Sequence, residues 1–167
     1  MPGHSIESMW ALMRIFRESG RTKELTQCIE LTRAHVERGW DPEFGGLFLA
    51  VDLDGRLPYW PFAEFKLWWP AVEAMYALLL AYRESGASWC LEWYERVHNY
   101  AFTHFPVQGG EWRNRLDRKG EPCDKVVALP VKDPFHLPRA LMLCQEVLAD
   151  IAHHPITLKL TKPRRQP

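Results

Sequence analysis

Arg83-Glu84-Ser85-Gly86 repeats Arg17-Glu18-Ser19-Gly20 letter for letter, 66 positions further along the chain. The same shift lays Glu7 on Glu73, Met9 on Met75, Ala11 on Ala77, Leu12 on Leu78 and Leu25 on Leu91. A second step of equal length carries His4 through Pro70 to His136, and Glu7 through Glu73 to Arg139. A period of this size marks stacked supersecondary units, each of which buries its apolar face on its neighbours.

Working outward from the repeated tetrapeptide, Ile6, Met9, Trp10, Met13 and Phe16 recur at helical spacing. They predict a helix from about His4 to Ser19, closed by Gly20 as its left-handed residue. A second helix is predicted from Thr22 to Glu37. Leu47–Val51 and Arg56–Tyr59 flank Asp52-Leu53-Asp54-Gly55 and read as a short hairpin. A third helix follows up to Gly86, then a fourth from Ser88 to Phe105. A second hairpin opens at Gly109-Gly110-Glu111-Trp112 and turns at Asp117-Arg118-Lys119-Gly120; a fifth helix runs from Asp133-Pro134-Phe135-His136 to about Leu148. The fold class is therefore mainly α, built of helical hairpins with short β-hairpins between units. Residues 1–150 are expected to form this body, with 151–167 a frayed tail.

Composition narrows the function classes. Lys plus Arg and Asp plus Glu both number 21 in 167 residues, so the balanced charge favours neither nucleic acid nor a membrane surface as partner. Eight Trp, eight Phe and five Tyr are enough to fill a core and line a pocket. The cysteines Cys28, Cys90, Cys123 and Cys144 show no metal-ligand spacing and read as reduced thiols of a cytoplasmic protein. No signal peptide or membrane-length apolar run is apparent.

The chemistry centres on Lys66-Leu67-Trp68-Trp69-Pro70-Ala71-Val72-Glu73. Pro70 suits the first turn of a helix, where its missing N–H costs nothing. Glu73 then falls about one turn inside. It is either an exposed glutamate favoured by the helix dipole, or a carboxylate held among aromatic rings to bind a sugar. Because equivalent positions in stacked units point the same way, the repeat predicts that His4, Glu7, Trp69, Glu73, His136 and Arg139 converge at one cavity mouth. Two imidazoles and a carboxylate in an aromatic cleft suit general acid–base catalysis. His35, His98, His104, His153 and His154 lack that placement and read as ordinary residues.

The motifs Pro2-Gly3-His4-Ser5-Ile6-Glu7, Gly39-Trp40-Asp41-Pro42, Gly45-Gly46-Leu47-Phe48, Lys66 to Pro70 with Glu73-Ala74, Gly110-Glu111-Trp112 and Pro134 to Arg139 occur in that order. In this set and order the chain resembles the N-acylglucosamine 2-epimerase family, which includes renin-binding proteins and cellobiose 2-epimerases. The resemblance implies an (α/α)6 toroid and an enzyme that epimerises sugars at C2 through an enediolate, with no metal or other cofactor. It implies His4 and His136 as the two catalytic bases. Glu73 matches a family active-site glutamate and Glu7 the glutamate one turn after the first histidine, and Trp69 and Arg139 match pocket lining and scaffold; these four are the expected substrate-binding residues. The expected partner is a small-molecule sugar.

The chain also departs from the family pattern. The resemblance covers only the C-terminal part of the family chain, so a truncated form with little activity alone is expected. Arg113-Asn114-Arg115 replaces a more aromatic stretch after Glu111-Trp112, and Val126–Val131 is unlike the usual approach to the last histidine. A complementing N-terminal half or a homo-oligomer is the expected remedy. The alternative is a non-catalytic carbohydrate-binding or protein-interaction module on the same fold.

Overall fold

The computed structural model describes residues 1–56, 58–125 and 133–154. Five helices are present: α1 (Pro2–Glu18), α2 (Thr22–Gly39), α3 (Trp68–Ser85), α4 (Ser88–His104) and α5 (His136–His153). Two short strands, β1 (Lys66–Leu67) and β2 (Arg115–Leu116), complete the described elements. The expected helices are all there, with α5 extending to His153 rather than ending at Leu148. Ile151 to His153, expected in the frayed tail, form the end of α5 instead; the rest of that tail beyond His154 and the segment from Val126 to Val131 lie outside the described residues.

The core is organised around α3, thirteen of whose eighteen residues are buried. Leu78, Leu79 and Leu80 are almost wholly removed from water, each such burial contributing about 1.5–3 kcal/mol. Ala71, Ala74, Ala77 and Ala81 are buried on the same helix, and their small side chains let neighbouring helices come close. α3 packs against α1, α4 and α5, and more lightly against α2, which itself packs on α1.

Like ends of α1, α3 and α5 meet. His4 and Gly3 touch Trp69 near the starts of α1 and α3, while Arg17 pairs with Glu84 near their ends. Glu73 bonds His136 at the start of α5, and Arg83 pairs with Asp150 near its end. The three helices therefore run parallel, as the repeat predicts, and bring their N-termini together.

The loops depart from the expected pattern in one place. Among the described residues, Leu47–Val51 does not pair with Arg56–Tyr59. Leu47 bridges Trp40, while the amides of Leu49 and Ala50 donate to the carbonyls of Phe65 and Ala63. The reason is burial: this pairing covers Leu49 and Ala63, whereas Tyr59 is fully exposed and could not cover an apolar strand face. The Asp52 turn itself forms, its carboxylate accepting from the amides of Asp54 and Arg56. The second turn also forms, with Asp117 N–H bonded to the Glu121 carbonyl and Leu116 bridging Pro122.

Between units, β1 and β2 pair antiparallel, Lys66 opposite Leu116 and Leu67 opposite Arg115. A charge cluster reinforces that junction. Buried Asp41 accepts from Lys66 Nζ at 2.8 Å and from Arg118 Nε at 3.1 Å. Burial opposes ionisation of Asp41, but the Lys66 and Arg118 bonds hold its carboxyl below the ordinary range. The cluster fixes the backbone just before Trp68 and Trp69, and so the entry into α3.

Candidate active site

The site is assembled at the N-terminal ends of α1, α3 and α5. α1 begins with Pro2 in its first turn, where no intrahelical N–H is needed. Gly3 comes next because Trp69 leaves no room for a side chain. A Cβ there would lie 2.6 Å from the indole Cη2 and 2.9 Å from Pro70 Cβ. This contact places the His4 ring 4.7 Å from the Trp69 ring, tilted by 40°.

Glu73 is fully buried, so the exposed first-turn reading is excluded. Its Oε2 accepts from Trp10 Nε1 at 2.7 Å. Its Oε1 meets His136 Nδ1 at 2.7 Å and is also bonded by Arg139 Nη2. An ionised carboxylate only accepts, so Nδ1 of His136 carries a proton and donates. In the neutral ring this leaves Nε2 as the basic nitrogen. Burial lowers the affinity of His136 for its second proton, but the Glu73 bond and charge outweigh it, and the pKa lies above the ordinary histidine value. Asp133 joins from the start of α5, accepting from the amides of Phe135 and His136. Its carboxylate stands 4.0 Å from His136 Nε2. Burial opposes ionisation of Asp133, yet these amide bonds hold its pKa down.

Arg139 ties the three helices together. Besides Glu73 it reaches Glu7 Oε1 at 3.5 Å, and its guanidinium lies over the rings of Phe135 and Trp10 at 3.9 and 5.0 Å. Its Nε is buried without an acceptor among the described residues. Glu7, Glu73 and His136 could offer a cation three ligand atoms within 4.8 Å of one another. The Arg139 guanidinium bonds these same oxygens and approaches His136 Nδ1 to 3.4 Å, so it supplies the positive charge such a set attracts.

All six expected site residues therefore converge. Trp69 is the shared wall: its ring lies 4.7 Å from His4 and 5.2 Å from His136, so the two imidazoles are at most 9.9 Å apart. Trp10 and Asp133 belong to the same network and were not among the expected site residues. The repeat places Trp10 opposite Tyr76, which suggests core packing; no spacing announces that its N–H reaches Glu73. Asp133 shows in sequence only as a helix-start residue. Outside the site, His98 stacks on Phe102 and His104 on Tyr100. No helix among the described residues is long and apolar enough to cross a membrane, and the four cysteines are free thiols.

Known proteins share this arrangement of helices. D-mannose isomerase superposes with a TM-score of 0.75 at 22% identity, over 90% of this chain and 38% of its own. Cellobiose 2-epimerase from Bacillus thermoamylovorans B4167 gives a TM-score of 0.69 at 25% identity, over 89% of this chain and 37% of its own. The fold is thus that of part of an (α/α)6 toroid. In sequence, N-acylglucosamine 2-epimerase of Bos taurus is 38% identical over 160 residues, which is 90% of this chain and 36% of the relative. The chain spans little more than a third of the length of the relatives it matches. A sequence model of N-acylglucosamine 2-epimerase (GlcNAc 2-epimerase) matches residues 1–140, and with that match over most of its length the chain belongs to the N-acylglucosamine 2-epimerase family.

Proposed function

We propose that this chain carries the acid–base centre of a sugar 2-epimerase. The observation that carries the proposal is the pair of imidazoles, His4 and His136, on one tryptophan, with Glu73 behind one of them. Epimerisation at C2 of an open-chain aldose removes the proton α to the carbonyl and returns one to the opposite face. A single base returns the same isomer, so two bases are needed. His136 Nε2 accepts the proton from one face, and Glu73 stabilises the imidazolium that forms. The negative charge moves onto the carbonyl oxygen of the enediolate. His4, with no polar side-chain partner among the described residues, delivers a proton from the other face. Glu7, Trp69 and Arg139 shape the cleft and hold the sugar hydroxyls and the charge, while Glu73, expected to bind substrate, is fully buried and acts through His136 and Arg139.

In this reading residues 1–150 form the C-terminal part of the toroid, and the remaining cage around the sugar comes from a complementing half or a second copy. Exposed apolar side chains on α5, Met142 and Leu148, favour such a partner. The four free thiols suit a reducing, cytoplasmic location. The test is C2 proton–deuterium exchange in heavy water by the chain assembled with its complementing half or second copy, with N-acetylglucosamine, N-acetylmannosamine and cellobiose as substrates. Exchange that His4→Ala and His136→Ala each abolish supports the reading. Exchange that survives either substitution at full rate removes that histidine from the chemistry.

A further inference from the structure

Arg113, Asn114, Arg115, Pro122, Cys123 and Asp124 line a cavity of about 260 Å³ that the proposed chemistry does not use. Two arginines two residues apart line it. Most arginines of the described chain are already committed to a carboxylate: Arg17, Arg21, Arg33, Arg56, Arg83, Arg118 and Arg139 each have one. Arg113 and Arg115 have none among the described residues. The side chain of Arg115 donates through Nη1 to the Lys125 carbonyl at 2.5 Å, which orients the guanidinium and leaves Nε and Nη2 available. Asp124 is exposed in the same cavity and pairs with neither, so the net charge of the lining is positive.

The backbone beneath these arginines is fixed at three points. Arg113 N–H donates to the Phe105 carbonyl at 2.7 Å. Arg115 faces Leu67 across the β1–β2 pair. Asn114 Oδ1 accepts from Trp68 Nε1 at 3.2 Å, and the Trp68 ring meets the His136 ring edge-on at 5.9 Å. The cavity therefore stands one tryptophan away from the proposed base.

We infer that Arg113 and Arg115 form an oxyanion subsite that admits a sugar bearing a phosphoryl or carboxylate group. Paired planar guanidiniums match the oxygens of such a group, and ordered charge-assisted bonds to it are stronger than bonds to a neutral hydroxyl. This deepens the epimerase reading and rests on it for the sugar, though not for the anion.

Calorimetric titration of the whole chain tests the inference, using glucose 6-phosphate, glucuronate, glucose and inorganic phosphate as probes. At least one anionic sugar is expected to bind about tenfold more tightly than glucose. The phosphate and carboxylate arms show which anion is preferred. Arg113→Gln and Arg115→Gln should each erase most of that advantage and leave glucose affinity unchanged. Both substitutions leave the β1–β2 backbone bonds in place, and an unaltered thermal melt verifies folding. Inorganic phosphate bound in an arginine-dependent way, with no binding of any sugar, supports the subsite and overturns the sugar reading instead. Anionic sugars no tighter than glucose, or an advantage that survives the double substitution, overturns the inference while leaving the epimerase reading intact.

Discussion

Glu73 of α3 serves three donors from two neighbouring helices with one carboxylate: Trp10 of α1, and His136 and Arg139 of α5. Its replacement by Gln keeps the shape and removes the charge. The buried partners then lose a charge-assisted acceptor, which costs about 1–3 kcal/mol, measurable by denaturant unfolding. The proton affinity of His136 should respond more sharply. The Glu73 bond and charge are the chief influences that hold its pKa above the ordinary value against burial, so Glu73→Gln leaves burial opposed only by the smaller effects of the Asp133 and Glu7 charges and should turn the shift downward. An NMR titration of the His136 ring should show that reversal, and an unmoved titration would refute the role given to Glu73. The sign for stability follows. A raised histidine pKa contributes stability below the unfolded-state value near 6.5, and that contribution is lost as pH rises through the folded-state pKa. As a base, His136 works in the neutral form, so the acid limb of any exchange activity should sit above that value in the wild type and move down in Glu73→Gln. The neighbouring Gly3 is tested differently. Gly3→Ala drives a methyl into Trp69 and should cost about 1–3 kcal/mol of stability, with a shift in the His4 ring signals as Trp69 moves. The residues of this site were legible because the repeat gives them equivalent positions. Trp10 was not, because an indole N–H hydrogen bond leaves no periodic trace.

At the scale of elements, the period found in the sequence recurs as a period of interactions. Arg17 pairs with Glu84 across α1 and α3, and the same shift of 66 gives Arg83 paired with Asp150 across α3 and α5. Ser19 Oγ donates to the Ile15 carbonyl, and Ser85 Oγ to that of Ala81. Gly20 and Gly86 end the corresponding helices with the same φ of +68°. After α1, the amides of Gly20 and Arg21 close the turn on Arg17 and Phe16. The repeated Arg-Glu-Ser-Gly is thus a helix stop fused to an inter-helix ion pair. Nothing crowds the Cβ position at Gly20, so Gly20→Ala tests the left-handed backbone alone. It should cost about 1 kcal/mol, since an alanine there carries the left-handed penalty, and a drop in the unfolding midpoint would register it. The helices were legible because their apolar spacing is strong. The first hairpin was not, because Asp52-Leu53-Asp54-Gly55 specifies a turn but not which strands flank it. That choice was made by the burial of Leu49 and Ala63, a tertiary effect.

At the scale of the whole molecule, the stack of α1, α3 and α5 has two ends, and only α3 is enclosed on both flanks. On α1 the enclosure is partial: Trp10 and Met13 are buried against the core, but Ile15 is 56% exposed. On α5 only Ala140 and Cys144 are buried. Met142 is 61% exposed, with Phe135 and Leu148 also open. A helix with such a divided surface is partnered on one side and unpartnered on the other, as expected of a unit inside a longer array. Apolar side chains left open on both outer helices favour association. The isolated chain is therefore expected to self-associate, and to catalyse little C2 exchange until a partner supplies the rest of the cage. Sedimentation velocity at increasing concentration gives the first measurement, and Met142→Lys with Leu148→Lys gives the control. The doubly substituted chain should sediment as a monomer with its fold intact, because neither side chain belongs to the buried core. A wild-type chain that remains monomeric at high concentration and epimerises sugars at the rate of a full-length relative would show that neither open face needs a partner.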